Sequence, residues 1–222
     1  MQKVLIKAAV VTAVAALALS GCVSKVDDAG TAGGSIKIGV FEPMTGANGG
    51  GGTMEVEGAK LANKLYPEVN GQKIELVITD NKSDKVEAAN AGKRLVEQDK
   101  VKAIIGSWGS GLSMSAGGAF QAAQVPAVAA SATNPNVTLN NPYYFRVCFI
   151  DPFQGTVLAR LAFNELKAKK VSVVQEITND YSVGLAKFFT DEFTKLGGTV
   201  LDGGKYNTGD TDFSAALTTV KS

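Results

Sequence analysis

Residues 101–129 read VKAIIGSWGSGLSMSAGGAFQAAQVPAVA, and their pattern decides the fold. Val101 to Gly106 and Pro126 to Ala129 are short apolar runs of strand length, and Leu112 to Ala123 between them has helical spacing. Outward from this unit, Ile36 to Phe41 and Ile74 to Thr79 read as two more buried strands. Helices are predicted over Thr53 to Tyr66, with Met54, Leu61, Ala62 and Leu65 on its apolar side, and over Asp84 to Gln98. Strands and helices in strict alternation predict an α/β fold with a parallel sheet covered on both faces.

The alternation pauses over Ser131 to Asp151, which with its flank carries Pro135, Pro142 and Pro152, and then resumes. Leu158, Leu161, Ala162 and Leu166 mark one helix face, Val171 to Ile177 a strand, and Leu185, Phe188, Phe189, Phe193 and Leu196 another helix face. Gly197-Gly198 ends that helix, a strand follows over Thr199 to Tyr206, and Phe213, Ala216, Leu217 and Val220 begin a further helix. Two α/β units joined by a crossing segment predict two lobes, 36–149 and 150–222, with a cleft between them. The second has too few strands to bury its apolar faces, so we expect it to be the N-terminal part of a larger lobe.

Ahead of the first strand, Lys3 and Lys7 precede an apolar stretch from Ala8 to Leu19, and Leu19-Ser20-Gly21-Cys22 closes it. The apolar stretch is too short to span a bilayer, and the whole reads as a lipoprotein signal over 1–21, with Cys22 as the lipidated first residue of the mature chain. Residues 22–35, rich in Ser, Gly, Ala, Asp and Thr, read as a flexible tether. The 222-residue chain has 22 basic and 21 acidic residues, a balance that does not advertise nucleic acid as a partner. It contains no histidine, which excludes a Ser-His-Asp triad and a histidine metal site within these residues. Cys148, in an apolar stretch and without a disulfide partner once Cys22 is lipidated, reads as a buried small hydrophobe.

In open parallel sheets ligands sit beyond the carboxyl ends of the strands, so the loops there carry the candidate site. The first, Glu42 to Thr53, holds Gly49-Gly50-Gly51-Gly52 but fits no phosphate-binding fingerprint and is expected to be mobile. The loop Gly106-Ser107-Trp108-Gly109-Ser110-Gly111 runs into a helix with Ser110 at the N-cap position, a ready carboxylate site. Trp108, flanked by small residues, has little to pack against except a ligand. Ser131-Ala132-Thr133-Asn134-Pro135-Asn136 is polar and turn-forming; a carbonyl near Ser131 and the Thr133 hydroxyl offer acceptors to an ammonium while Ser110 donates to a carboxylate. Together these groups describe an α-amino acid. A nucleophilic Ser110 is the enzymatic alternative, but it has neither a G-x-S-x-G elbow nor a histidine.

Residues 36 to 222 resemble the branched-chain amino-acid binding receptors of ABC importers, the type I periplasmic binding proteins. The resemblance rests on Ile36-Lys37-Ile38-Gly39-Val40, Thr45-Gly46 with Gly58-Ala59, Asp80, Ile105-Gly106 with Ser110, Ala132-Thr133-Asn134-Pro135, Gly155, Asp180-Tyr181 with Gly184, and Asp212-Phe213. It implies binding without catalysis and without a cofactor, by a monomer that docks on membrane permease subunits and is held to the membrane by its lipid. It implies that Ser110 and Thr133 hold the ligand carboxylate, Thr133 and the Ser131 carbonyl its ammonium, that Tyr181 closes from the second lobe about a hinge including Arg146 to Asp151, and that Trp108 lines the side-chain pocket. Binders of leucine-like ligands in the family carry an aromatic in the first loop where this chain has Gly51, which leaves that wall to Trp108. The family's acidic ammonium ligand would lie beyond Ser222. The alternative within the same fold is a sensor domain for an amide, urea or aromatic acid.

Overall fold

The computed structural model describes residues 34–221. The signal sequence, Cys22 and the tether up to residue 33 lie outside the described residues.

The first lobe runs β1 (Ile36–Glu42), α1 (Gly49–Leu65), β2 (Glu68–Val69), β3 (Gln72–Asp80), α2 (Lys85–Glu97), β4 (Ala103–Ile105), α3 (Ser110–Ala123), β5 (Ala127–Ala129) and β6 (Tyr144–Arg146). These strands form one sheet in the order β2-β3-β1-β4-β5-β6, parallel except for β2. The four strands and three helices expected from periodicity are present. Two strands escape that reading. β2 and β3 are joined by Asn70-Gly71, both at positive φ (52° and 76°), the two-residue turn whose twist suits a hairpin. β6 is three residues long and lies inside the segment read as a crossing, too short to show a period.

Helix α1 departs from expectation in two ways. It begins at Gly49, so the glycine run is its first turn rather than a mobile loop; Gly52 N donates to Asn48 O (3.2 Å). Gly52 is there for contact, since a Cβ at that position would strike the Pro43 carbonyl. Its buried residues are Gly52, Val56 and Ala59, whereas Met54, Leu61 and Leu65 are exposed. The small side chains let the helix lie close to the sheet, where Val56 and Ala59 pack with Val40, Leu76 and Ile78. Helix α2 starts on Asp84, whose carboxylate accepts from the Val86 and Glu87 amides (2.8 and 2.9 Å). Between α2, α3 and the sheet lies the main core, centred on Phe120, which meets Phe41 and Tyr144 edge-on with centroids 5.7 Å away in each case.

The second lobe contains α4 (Asp151–Arg160), which widens into a π-helical turn over Leu161–Glu165, then β7 (Lys170–Glu176), α5 (Asp180–Lys195), β8 (Thr199–Tyr206) and α6 (Ser214–Lys221). β7 and β8 pair in parallel as a two-stranded sheet. In α4 the buried side is Gly155 and Ala159, while Leu158, Leu161 and Leu166 of the expected face are exposed. Phe193 of α5 is fully buried, stacked on Phe189 at 5.6 Å and edge-on to Phe163 at 5.8 Å. Val174 and Leu201 of this small sheet, and Ile177 just beyond β7, stay exposed. Among the described residues no helix is long and apolar enough to cross a membrane.

Phe120→Ala is expected to lower unfolding free energy by about 3–5 kcal/mol, because it removes the ring shared by Phe41 and Tyr144 and leaves a cavity. Urea denaturation checks this, and a loss below about 1 kcal/mol would contradict the central place given to Phe120.

Candidate ligand-binding cleft

A cleft of about 490 Å³ lies between the carboxyl-end loops of the large sheet and the N-terminal turns of α4 and α5. Four of the sequence-predicted residues, Trp108, Ser110, Ser131 and Thr133, line it from the first lobe, and Tyr181 lines it from the second.

Ser110 is nearly fully buried and is the first residue of α3; Gly109, at φ 89°, takes the cap position expected for the serine. The reason is tertiary: the Ser110 hydroxyl accepts from the Asn134 amide across the cleft floor (3.2 Å), which leaves its own proton free to donate. Thr133 is 6% exposed, and Ser131 Oγ near it is buried with no protein hydrogen-bond partner. The loop carrying them is held from behind by Arg146, whose guanidinium donates to Ala132 O (2.9 Å), Pro135 O (3.4 Å) and Thr138 Oγ1 (3.0 Å). Asn134 locks the same loop by accepting from the Asn136 amide (3.0 Å).

Trp108 lies over the first turn of α1. A Cβ on Gly51 would come within 2.5 Å of its ring atoms, so Gly51 sits behind the indole and does not itself line the cleft. The Trp108 amide donates to Glu42 Oε2 at 2.6 Å. Glu42 is fully buried, and burial, followed by the neighbouring Glu55 carboxyl, pushes its pKa up to about 10. Ala47 and Asn48, rather than the glycines after them, are the first-loop residues at the cleft.

From the second lobe, Asn179 caps α5 by accepting from the Tyr181 amide (3.0 Å), and the Tyr181 hydroxyl accepts from Gln154 Nε2 (3.1 Å). Asp180 joins the lobes twice: its carboxylate meets Lys85 Nζ at 2.6 Å, and its carbonyl accepts from Asn134 Nδ2 at 3.0 Å. Just after β6, Cys148 is half-buried in the cleft wall rather than in a core, and burial pushes its thiol pKa up. Asp151 behind it is fully buried; burial raises its pKa, opposed by hydrogen bonding from the Thr133 hydroxyl and by the charge of Arg146. The sequence does not mark Lys85, Gln154 and Asp180 as cleft residues: each lies in the first turn of a helix, and nothing local brings residue 85 to residue 180.

Among the described residues no cluster of three or more His, Cys, Asp or Glu side chains is placed to hold a metal ion. Buried hydroxyls and amides suit a compact ligand bearing both donors and acceptors. The Lys85–Asp180 pair is partly exposed, so a double-mutant cycle should give a coupling of about 1 kcal/mol or less that vanishes near 1 M salt. A larger coupling insensitive to salt would mean that the pair is desolvated.

A profile of the family described as "Periplasmic binding protein" matches residues 35–222. Among curated proteins, the chain is 34% identical over 190 residues to an amino acid binding protein of Pseudomonas aeruginosa, covering 84% of this chain and 50% of that one. Among solved structures, it resembles a leucine binding protein, LivK, from Thermotoga maritima, with 44% identity, a TM-score of 0.81, and coverage of 82% of this chain and 52% of the other. It also resembles the branched-chain amino acid transporter substrate binding protein LivJ from Streptococcus pneumoniae, solved in complex with isoleucine, with 36% identity, a TM-score of 0.78, and coverage of 84% and 54%. The chain thus spans about half the length of the relatives it matches. Parallel sheets, a cleft at their carboxyl edge and these matches agree: the chain belongs to the periplasmic binding protein family.

Proposed function

We propose that this chain belongs to the ligand-binding unit of an extracytoplasmic ABC-importer receptor that takes a branched-chain or related hydrophobic amino acid between its lobes. The observation that carries the proposal is the convergence of Ser110, Ser131 and Thr133 on one cleft wall, with Ser131 Oγ buried there without a partner. Unpaired buried polar atoms cost free energy, and a ligand that supplies their partners recovers it. In this reading Ser110 and Thr133 donate to the ligand carboxylate, and the Ser131 carbonyl with Thr133 receives the ammonium. Trp108 forms the side-chain wall in the space that Gly51 leaves, and Tyr181 closes over the ligand from the second lobe.

The function is binding without chemistry. Ser110 is unsuited to nucleophilic attack: its oxygen accepts from a backbone amide, and the sequence has no histidine to take its proton. Closure is driven by the ligand's greater affinity for the closed lobes, a state that the Lys85–Asp180 and Asn134–Asp180 bridges would help to hold. The closed monomer would then dock on permease subunits, with a lipid on Cys22 holding it near them outside the cytoplasmic membrane. The amino acids bound by the leucine and branched-chain binding proteins that this chain resembles favour this reading over a sensor of amides, urea or aromatic acids.

A thermal-shift screen of amino acids against the full-length protein is the test. A ligand at 100 times its Kd should add about 2.7 kcal/mol of stability, and Thr133→Val should abolish the shift. Absence of stabilisation by leucine, isoleucine, valine or any other amino acid would overturn the reading. For the anchor, Cys22→Ser is expected to move the protein from the detergent phase to the aqueous phase of a Triton X-114 partition; an unchanged distribution would disprove lipidation at Cys22.

A further inference from the structure

Beneath the indole wall of the cleft lie two carboxyl groups with no cation between them. Glu42 ends the central strand and is fully buried; its Oε2 accepts from the Trp108 amide at 2.6 Å, while Oε1 is buried and without a partner. Glu55 approaches from α1 to side-chain hydrogen-bonding reach of Glu42, and its Oε2 is likewise buried and without a partner. Gly51, over which the Trp108 ring lies, is four residues before Glu55 and therefore on the same face of α1. One stretch of helix thus meets both the ring and the acid that holds its backbone.

The other ionisable groups around this pair do not neutralise it. From β3, Asp80 is an acid engaged by the Met44, Thr45 and Lys82 amides and the Thr45 hydroxyl. From β6, Tyr144 gives its hydroxyl proton to Gly106 O (2.7 Å), and beyond it Cys148 is a neutral thiol at the cleft. No ion pair among the described residues involves Glu42 or Glu55. Two ionised carboxylates buried this way would repel and leave both inner oxygens unsatisfied, whereas one shared proton satisfies both.

We propose that Glu42 is a positioning residue of the cleft, a protonated acid that shares its proton with Glu55 and thereby fixes the Trp108 backbone and the indole wall. The raised pKa of about 10, against an ordinary 4.5, agrees with this geometry and sets the sign of its pH dependence. The folded pair keeps a proton that the unfolded chain releases above pH 4.5. Its stabilising contribution is therefore complete below 4.5 and is lost as pH rises toward about 10, at roughly tenfold in the folding equilibrium per pH unit.

The test does not depend on which ligand the cleft takes, because Trp108 is the only tryptophan of the chain and reports its own surroundings by fluorescence. Emission and urea stability of the full chain would be followed from about pH 6 to about pH 10, with Trp108→Phe as the blank. Glu42→Gln, which still accepts from the Trp108 amide and donates to Glu55, should keep the neutral-pH emission of the wild type. It should also remove roughly one proton from the pH slope of stability. Glu42→Leu, which offers the amide no acceptor, should shift Trp108 emission to the red and speed its quenching by acrylamide at every pH. Identical slopes for wild type and Glu42→Gln would overturn the shared proton, and unchanged emission in a folded Glu42→Leu would overturn the positioning role. Should Glu42→Leu fail to fold, the comparison of slopes decides alone.

Discussion

Parallel pairing of β1 with both β3 and β4 is the constraint on which the rest of the structure depends. Parallel strands bring their carboxyl ends to one edge, so the loops after β1, β3, β4 and β5 emerge side by side and supply the first-lobe wall of the cleft. A central parallel strand must be covered on both faces, and Val40, Phe41 and Glu42 at the end of β1 are each fully buried. The last of these is an acid. Its position at the very end of the strand puts a carboxyl under the loop that carries Trp108, where burial favours a neutral form.

The polar character of the cleft follows from how charge is distributed around it. Hydroxyls and amides line the floor, whereas charged groups sit at its margin, as Lys85 and Asp180 do, or behind it, as Arg146 does. A zwitterion carries no net charge, so neutral dipoles can match both of its ends without burying an unpaired protein ion. Arg146 shows the division of labour. Its three hydrogen bonds hold the 132–138 segment in place, so the Ser131 and Thr133 hydroxyls are oriented before any ligand arrives.

Close approach of backbone explains several residues that chemistry alone does not. Gly52 lets α1 rest on Pro43, and Gly51 accepts the face of Trp108. An indole that packs on a helix turn needs no neighbouring side chain, which is how the sole tryptophan can be both a structural and a cleft residue. The same small-residue logic buries Ala59 of α1 and Ala159 of α4 while larger apolar neighbours such as Met54 and Leu161 face outward.

Much of this protein was legible in its sequence. The order of strands and helices follows from periodicities of two and 3.6 residues, which are local properties, and the cleft loops follow from that order because a parallel sheet leaves them only one edge to occupy. Ser110, Ser131, Thr133 and Trp108 were recognisable on those loops. The buried face of α1, the strand β6, the pairing of Lys85 with Asp180, and the meeting of Glu42 with Glu55 were not. Periodicity says that a helix has an apolar side but not how near the sheet will come, and nothing in a local pattern encodes the distance between residue 85 and residue 180. Those relations were decided only by packing, where steric fit selects which face is covered and burial selects which charged groups must find a partner or keep a proton.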